Sequence, residues 1–253
     1  MILFESMKGQ QLDTNLFGLS SEQIHSQMHY LPARSLNTFL NYVIETQTDT
    51  FLISYFDSLL AKSVIPQFIS TLVGTPKTLD EALPLMIAAT KIQTPLSEID
   101  FNIDSKHICL SRARVFHLYS NQNGADLFTL FFFKHFIKNM CGIEIPIQGV
   151  SLTSSASQKL ISLLNALGIT HYKFSQETQL YQIDNTYAKT TVSIRQSSST
   201  EIKPAPVSYL DRIRAIIDSN LSDPRFSIQD LANQLGISVR TLQNTLQTQR
   251  FFI

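Results

Sequence analysis

The chain has 253 residues, 43% of them hydrophobic, enough for one or two packed domains. Lys plus Arg and Asp plus Glu each number 20, so no net charge draws the whole chain toward phosphate. Two cysteines, Cys109 and Cys141, exclude a disulfide framework and read as reduced and buried. The longest apolar run, residues 127–137, is broken by Lys134-His135 and is too short to cross a bilayer.

Residues 1–93 read as helices. Ser20-Ser21-Glu22 opens a short one, and Leu36, Phe39, Leu40, Val43 and Ile44 form the apolar stripe of the next. Phe51, Leu52, Tyr55, Phe56, Leu59 and Leu60 make a third, which continues from Val64 to Val73 after Pro66. Gly74-Thr75-Pro76 breaks the run, and Thr78 caps a helix with acids in its first turn, where Pro84 is an awkward presence. The period then changes to two. Residues 99–103 and 107–115 alternate as a hairpin, the second strand interrupted by Ser111-Arg112. Gly124-Ala125-Asp126 opens an apolar helix to about Met140, and residues 146–152 form a strand. Ser155-Ala156-Ser157 opens the helix 158–167, ended by Gly168. Two short strands follow, 169–174 and 179–183, and Asp184 caps a short helix or turn. Strands in pairs between helices predict an α+β domain ending near Ile194. Residues 196–208, rich in Ser and Pro, read as an exposed linker.

Residues 226–247 read as two short helices with a tight turn. Ser227 and Asp230 fit a capping box, and Ile228, Leu231, Ala232 and Leu235 fall on one face. Gly236 suits the turn, Ser238 offers a second cap, and Val239, Leu242 and Leu246 form the inner stripe of the second helix. Ser238, Arg240, Thr241, Gln243, Asn244 and Gln247 are left facing out, with side chains able to hydrogen-bond base edges in a major groove.

The segment 209–247 resembles the first helix-turn-helix of AraC/XylS-family transcription regulators. The resemblance is carried by Ile213, Ile217, Leu221, Phe226-Ser227, Leu231-Ala232, Leu235-Gly236-Ile237-Ser238, Arg240-Thr241-Leu242-Gln243 and Leu246. Asn244 stands where the family commonly has Arg. Family domains carry two such units joined by a long helix. This chain stops at Phe251-Phe252-Ile253, so the resemblance implies an incomplete DNA-binding end. Residues 78–83, 149–152, 172–174 and 180–184 are similar, in order and spacing, to the arabinose-binding-like domain attached to many such regulators. That likeness implies a sensor or dimerisation domain for an unknown small effector.

The expected organisation is therefore an effector-sensing or dimerisation domain over 1–195, a linker over 196–208, and an incomplete helix-turn-helix segment over 209–253. The fold class is an α+β sensor domain, helical at its start and then a small sheet with packed helices, followed by an all-α segment. The expected function is an effector-responsive, cytoplasmic DNA-binding regulator without a membrane segment, binding DNA weakly and as a possible homodimer. The alternative is an interaction protein that dimerises through its sensor domain and does not bind DNA. From Glu201 onward Lys203, Arg212, Arg214, Arg225, Arg240 and Arg250 face Glu201, Asp211, Asp218, Asp223 and Asp230, six against five.

Other candidates read as plain structure first. His25 and His29, at i and i+4, have the spacing of a metal pair but no evident third ligand, so no metal is expected. Phe128, Phe131, Phe132, Phe133 and Phe136 read as core ahead of an effector pocket. Arg112 and Arg114 read as a solvated or salt-bridged strand face ahead of a seat for an acidic effector. No phosphate loop, nucleophile elbow, zinc signature or carboxylate pair stands out, so neither an enzyme nor a cofactor is expected.

Overall fold

The computed structural model describes residues 33–93, 99–113, 122–193, 227–235 and 237–248, together with Leu210, Ile213 and Ile217. The expectations for residues 20–29, Arg114, the linker 196–208, Leu221, Phe226, Gly236 and the terminal Phe251-Phe252-Ile253 lie outside those residues.

The first described elements are helices α1 (Ala33–Thr46) and α2 (Asp49–Leu59), whose apolar stripes are buried as the spacing predicts, except that Leu36 and Phe51 are only partly covered. From α2 the chain runs through one π-helical turn, Leu60–Val64, into α3 (Ile65–Ser70). Pro66 explains the slip: it has no N–H to offer Lys62, and the wider turn absorbs the lost bond. Helix α4 (Leu79–Gln93) starts after Thr78 and keeps Pro84 inside it. Its first-turn N–H groups go to distant acceptors, Leu79 to the Thr190 carbonyl and Asp80 to that of Ala188, both at 3.0 Å. These bonds satisfy donors that a helix start leaves open.

Strands β1 (Ile99–Ile103) and β2 (His107–Ala113) form the predicted hairpin. The predicted interruption at Ser111-Arg112 does not occur, because Ser111 and Arg112 pair on one side with β1 and on the other with Leu180 and Gln179. Helix α5 (Asn123–Cys141) follows, then β3 (Ile147–Ser151), α6 (Gln158–Ala166), β4 (Tyr172–Lys173), β5 (Thr178–Asp184) and a 3-10 turn, Asn185–Tyr187. Ser157 caps α6 by accepting from the Leu160 N–H, and Asp184 caps the 3-10 turn by accepting from Thr186. The sheet has five strands in the order β1-β2-β5-β3-β4, antiparallel except for β3 with β4. Thus β5, the last described strand in sequence, lies in the middle of the sheet. The described body is α+β.

One apolar cluster joins α1–α6 to the inner face of the sheet. On that face Ile108 opposes Ile183 and Leu110 opposes Tyr181. Helix α5 lies at the centre: Phe131 stacks on Phe56 with centroids 4.7 Å apart, and Phe133 meets Tyr181 edge-on at 5.1 Å. Such pairs add to the burial itself, about 1.5–3 kcal/mol for each large apolar side chain. Gly124 sets how closely α5 approaches α1, since a Cβ there would stand 2.6 Å from that of Leu40. The closeness lets Asn41 Oδ1 accept from the Gly124 N–H (2.6 Å) and Asn37 Oδ1 from the Ala125 N–H (3.2 Å). At its other end, Gly142 takes a left-handed conformation (φ 70°) and its N–H closes α5 onto the Lys138 carbonyl.

Two further short helices, α7 (Ile228–Leu235) and α8 (Val239–Thr248), share a separate cluster with Ile213. Among the described residues no helix is long and apolar enough to cross a membrane.

Candidate nucleic-acid interface

Local chemistry fixes α7 and α8. Ser227 and Asp230 cap reciprocally: Asp230 donates its N–H to Ser227 Oγ (3.3 Å), and Ser227 donates its own N–H to Asp230 Oδ2 (3.0 Å). The Ile237 N–H donates to the Ala232 carbonyl (3.0 Å), a Schellman-type closure of α7. Ser238 Oγ accepts from the Thr241 N–H (3.1 Å), and Leu242 donates to the Ser238 carbonyl. Leu231, Ala232 and Leu235 of α7 bury against Leu242 and Leu246 of α8, with Val239 and Ile237 packed at the edge. Ala232, wholly buried, is small enough for the helices to sit close together.

Ile228 departs from expectation. Its spacing puts it on the buried face of α7, but it is 40% exposed. It is the first residue of the helix, three positions before Leu231, and stands outside the cluster that Leu231 and Leu235 share with α8.

Ser238, Arg240, Thr241, Gln243, Asn244 and Gln247 are all exposed. They do not form one uniform set. Thr241 is tied into the helix start, its hydroxyl 2.8 Å from that of Ser238 and its carbonyl accepting from Thr245 Oγ1. Arg240, Gln243, Asn244 and Gln247, at i, i+3, i+4 and i+7, form a continuous strip opposite Leu242 and Leu246. Among the described residues of α7 and α8, Arg240 is the one cation and Asp230 the one anion.

The body holds its own polar groups. Phe131, Phe133 and Phe136 are buried and Phe128 and Phe132 packed against the same cluster, so these aromatics are core. Asp126, 1% exposed, accepts from the Thr153 hydroxyl (2.9 Å) and from the N–H (2.8 Å) and hydroxyl (2.6 Å) of Ser154. Burial pushes its carboxyl above the ordinary value, and these donors pull against that. Tyr181 donates to the Asp126 carbonyl (3.1 Å), and burial raises its phenol well above the usual range.

Arg112 is not on a solvated strand face, as its charge suggested. It is half-buried, and its Nη1 donates to Thr129 Oγ1 (3.1 Å) and Gln179 Oε1 (3.4 Å). His135, 4% exposed, has Nε2 2.7 Å from Asp57 Oδ1. Both cysteines are free. Burial raises the Cys141 thiol to about 11 and raises that of Cys109 as well, so neither is a poised nucleophile. An open groove of about 510 Å³ runs past Lys106, His107, Gln148, Asp184 and Asn185 at one end of the sheet. Asp184 there is committed to Thr186 and Gln148, which hold its carboxyl below the ordinary value. Among the described residues no group of three or more His, Cys, Asp or Glu side chains can hold a metal ion.

Neither the strip on α8 nor the body is matched by a known sequence family: no protein-family model and no curated protein matches the chain at a significant level. A solved structure, the transcriptional regulator CdpR from Pseudomonas aeruginosa, overlays with a TM-score of 0.40 and 13% sequence identity, over 96% of this chain and 81% of that one. A score this low does not assign a shared fold.

Proposed function

We propose that the chain is an AraC-type DNA-binding transcription regulator in which α7 and α8 form a helix-turn-helix and α8 reads the major groove. The observation that carries this reading is the strip Arg240, Gln243, Asn244 and Gln247, exposed along one face of a short helix capped at its start by Ser238, whose opposite face is buried leucine. Arg pairs with guanine and amides with adenine, and four such side chains along about 10 Å of helix reach roughly three base pairs. Ser238 and Thr241 stand at the helix start, where hydroxyls and N–H groups approach phosphate. The sheet body binds a small effector or a second copy of the chain and so sets the affinity of the DNA-reading end.

A single cation in the described unit supplies little phosphate attraction, so binding by one chain is expected near the weak end of about 10⁻⁴–10⁻⁶ M. The same observation favours the second reading, a protein that pairs through its body and does not bind DNA. The test is fluorescence anisotropy on duplexes selected from a random pool at low salt. Arg240→Ala is expected to weaken binding to the selected duplex by about 1–3 kcal/mol, roughly tenfold or more. Unchanged binding after replacing all four strip residues with Ala, in a chain that keeps its helicity, would remove the DNA reading in favour of the second.

A further inference from the structure

Strand β1 ends the sheet, and among the described residues no other strand or loop bonds the backbone of its outer edge. The phase of that edge follows from the hairpin. Asp104 donates its N–H to the His107 carbonyl (2.9 Å), and the register continues with Asn102 opposite Cys109 and Asp100 opposite Ser111. Bonding groups alternate along an antiparallel strand, so Asp100 and Asn102 turn theirs toward β2, while Ile99, Phe101 and Ile103 turn theirs away from it. Phe101 agrees: its N–H donates to the carboxylate of its neighbour, Asp100 Oδ1, at 2.8 Å. Exposed edges are commonly guarded by Lys, Pro or a bulge, and β1 has none of these.

The strand itself, Ile99-Asp100-Phe101-Asn102-Ile103, has the same pattern read in either direction. Laid antiparallel on a second copy about a two-fold axis at Phe101, it sets Phe101 against Phe101, Ile99 against Ile103 and Asp100 against Asn102. The outward N–H and carbonyl groups of Ile99, Phe101 and Ile103 then bond one another across the axis. The Asp100 carboxylate, released from the Phe101 N–H, accepts from the Asn102 amide of the second copy, and the axis repeats that pair. Asp100 and Asn102 are exposed, while Phe101 and Ile103 are half-buried against the core. Opposed residues share a face of the sheet, so Phe101 and Ile103 gain cover from Phe101 and Ile99 of the second copy.

We propose that β1 is a dimerisation edge whose occupant is β1 of a second copy of this chain, the two sheets joining into one. Complementarity in register carries the proposal: each acceptor meets a donor, each apolar residue an apolar one, and the single acid of the strand never faces its own copy. The proposal rests on the reading in which the body binds a second copy of the chain, and gives that reading a surface. It is tested without DNA, so it stands apart from the DNA-reading end.

The experiment follows the mass of the full 253-residue chain against concentration by sedimentation equilibrium, with circular dichroism to confirm that each variant folds. The unaltered chain is expected to pass from monomer to dimer. Asn102→Asp changes an exposed side chain and sets an acid opposite Asp100 on both sides of the axis, so it is expected to weaken the dimer about tenfold or more. Adding Asp100→Asn to that variant exchanges the two ends of the pair and is expected to recover the loss. A dimer indifferent to Asn102→Asp, or a double variant as weak as Asn102→Asp, would overturn the proposal and leave pairing elsewhere on the body standing. A chain still monomeric at hundreds of micromolar would overturn both.

Discussion

Helices α5 and α8 show two ways of holding a helix. Helix α5 has 19 residues, and it buries residues on every side, polar ones included. Its N–H groups, its Asp126 and its phenylalanines all find partners from other elements, from Asn37 to Tyr181. Helix α8 buries Leu242 and Leu246 in the small cluster with α7 and Ile213, and Ser238 and Thr241 tie its start. A helix fixed from all sides is scaffold. One buried along a single stripe leaves its opposite face exposed. The contrast also teaches what a mutation should do: damage at α5 propagates through the body, and damage at α8 stays local.

The largest effect that would break this contrast is in the body. Phe131→Ala removes a wholly buried ring stacked on Phe56 and is expected to cost about 3–5 kcal/mol in chemical unfolding. Leu242→Ala is expected to cost about 2–4 kcal/mol within the α7–α8 cluster. Amide exchange should then show α7 and α8 losing protection while α5 keeps its own. Equal loss in both would mean that the two clusters unfold as one.

Asp126→Asn swaps one acceptor for a donor facing Thr153 and Ser154, and is expected to cost about 1–3 kcal/mol. Its pH dependence has a definite sign. Burial raises the folded carboxyl, so the native state holds the proton more tightly than the unfolded chain. That contribution is fully present below the unfolded value near 3.8 and is lost as pH rises through the folded one. The penalty of the Asn variant should therefore grow in acid, which unfolding titrations on both chains would show. The smallest effect is Ser227→Ala, which removes one half of a reciprocal cap and is expected to weaken α7 by about 1 kcal/mol, read from its exchange rates.

The same contrast explains what the sequence made legible. The caps at Ser227 and Ser238 and the stripe Leu231, Ala232, Leu235, Leu242 and Leu246 are local patterns, and the structure follows them. The exception is Ile228, since period alone does not say where a partner helix ends. In the body, helices and the β1–β2 hairpin also follow period, but strand order does not. Nothing in residues 107–113 announces pairing with residues 178–184. The setting of Arg112 is hidden in the sequence for the same reason. Its spacing from Ile108 and Leu110 points inward, while its charge argued for water until Gln179 and Thr129 are seen beside it. Asp126 read as a helix-opening residue, and its tie to Ser154 across 28 positions has no local sign.

The position of β5 bears on how the chain is made. Strands β1 and β2 leave a ribosome long before Thr178–Asp184, and β5 separates them from β3 in the finished sheet. Until β5 emerges, the nascent polypeptide holds a hairpin and a β3–α6–β4 piece with unpaired edges facing each other across a gap. Assembly waits for that one late insertion, and a nascent chain arrested after Lys173 should be a client for chaperones.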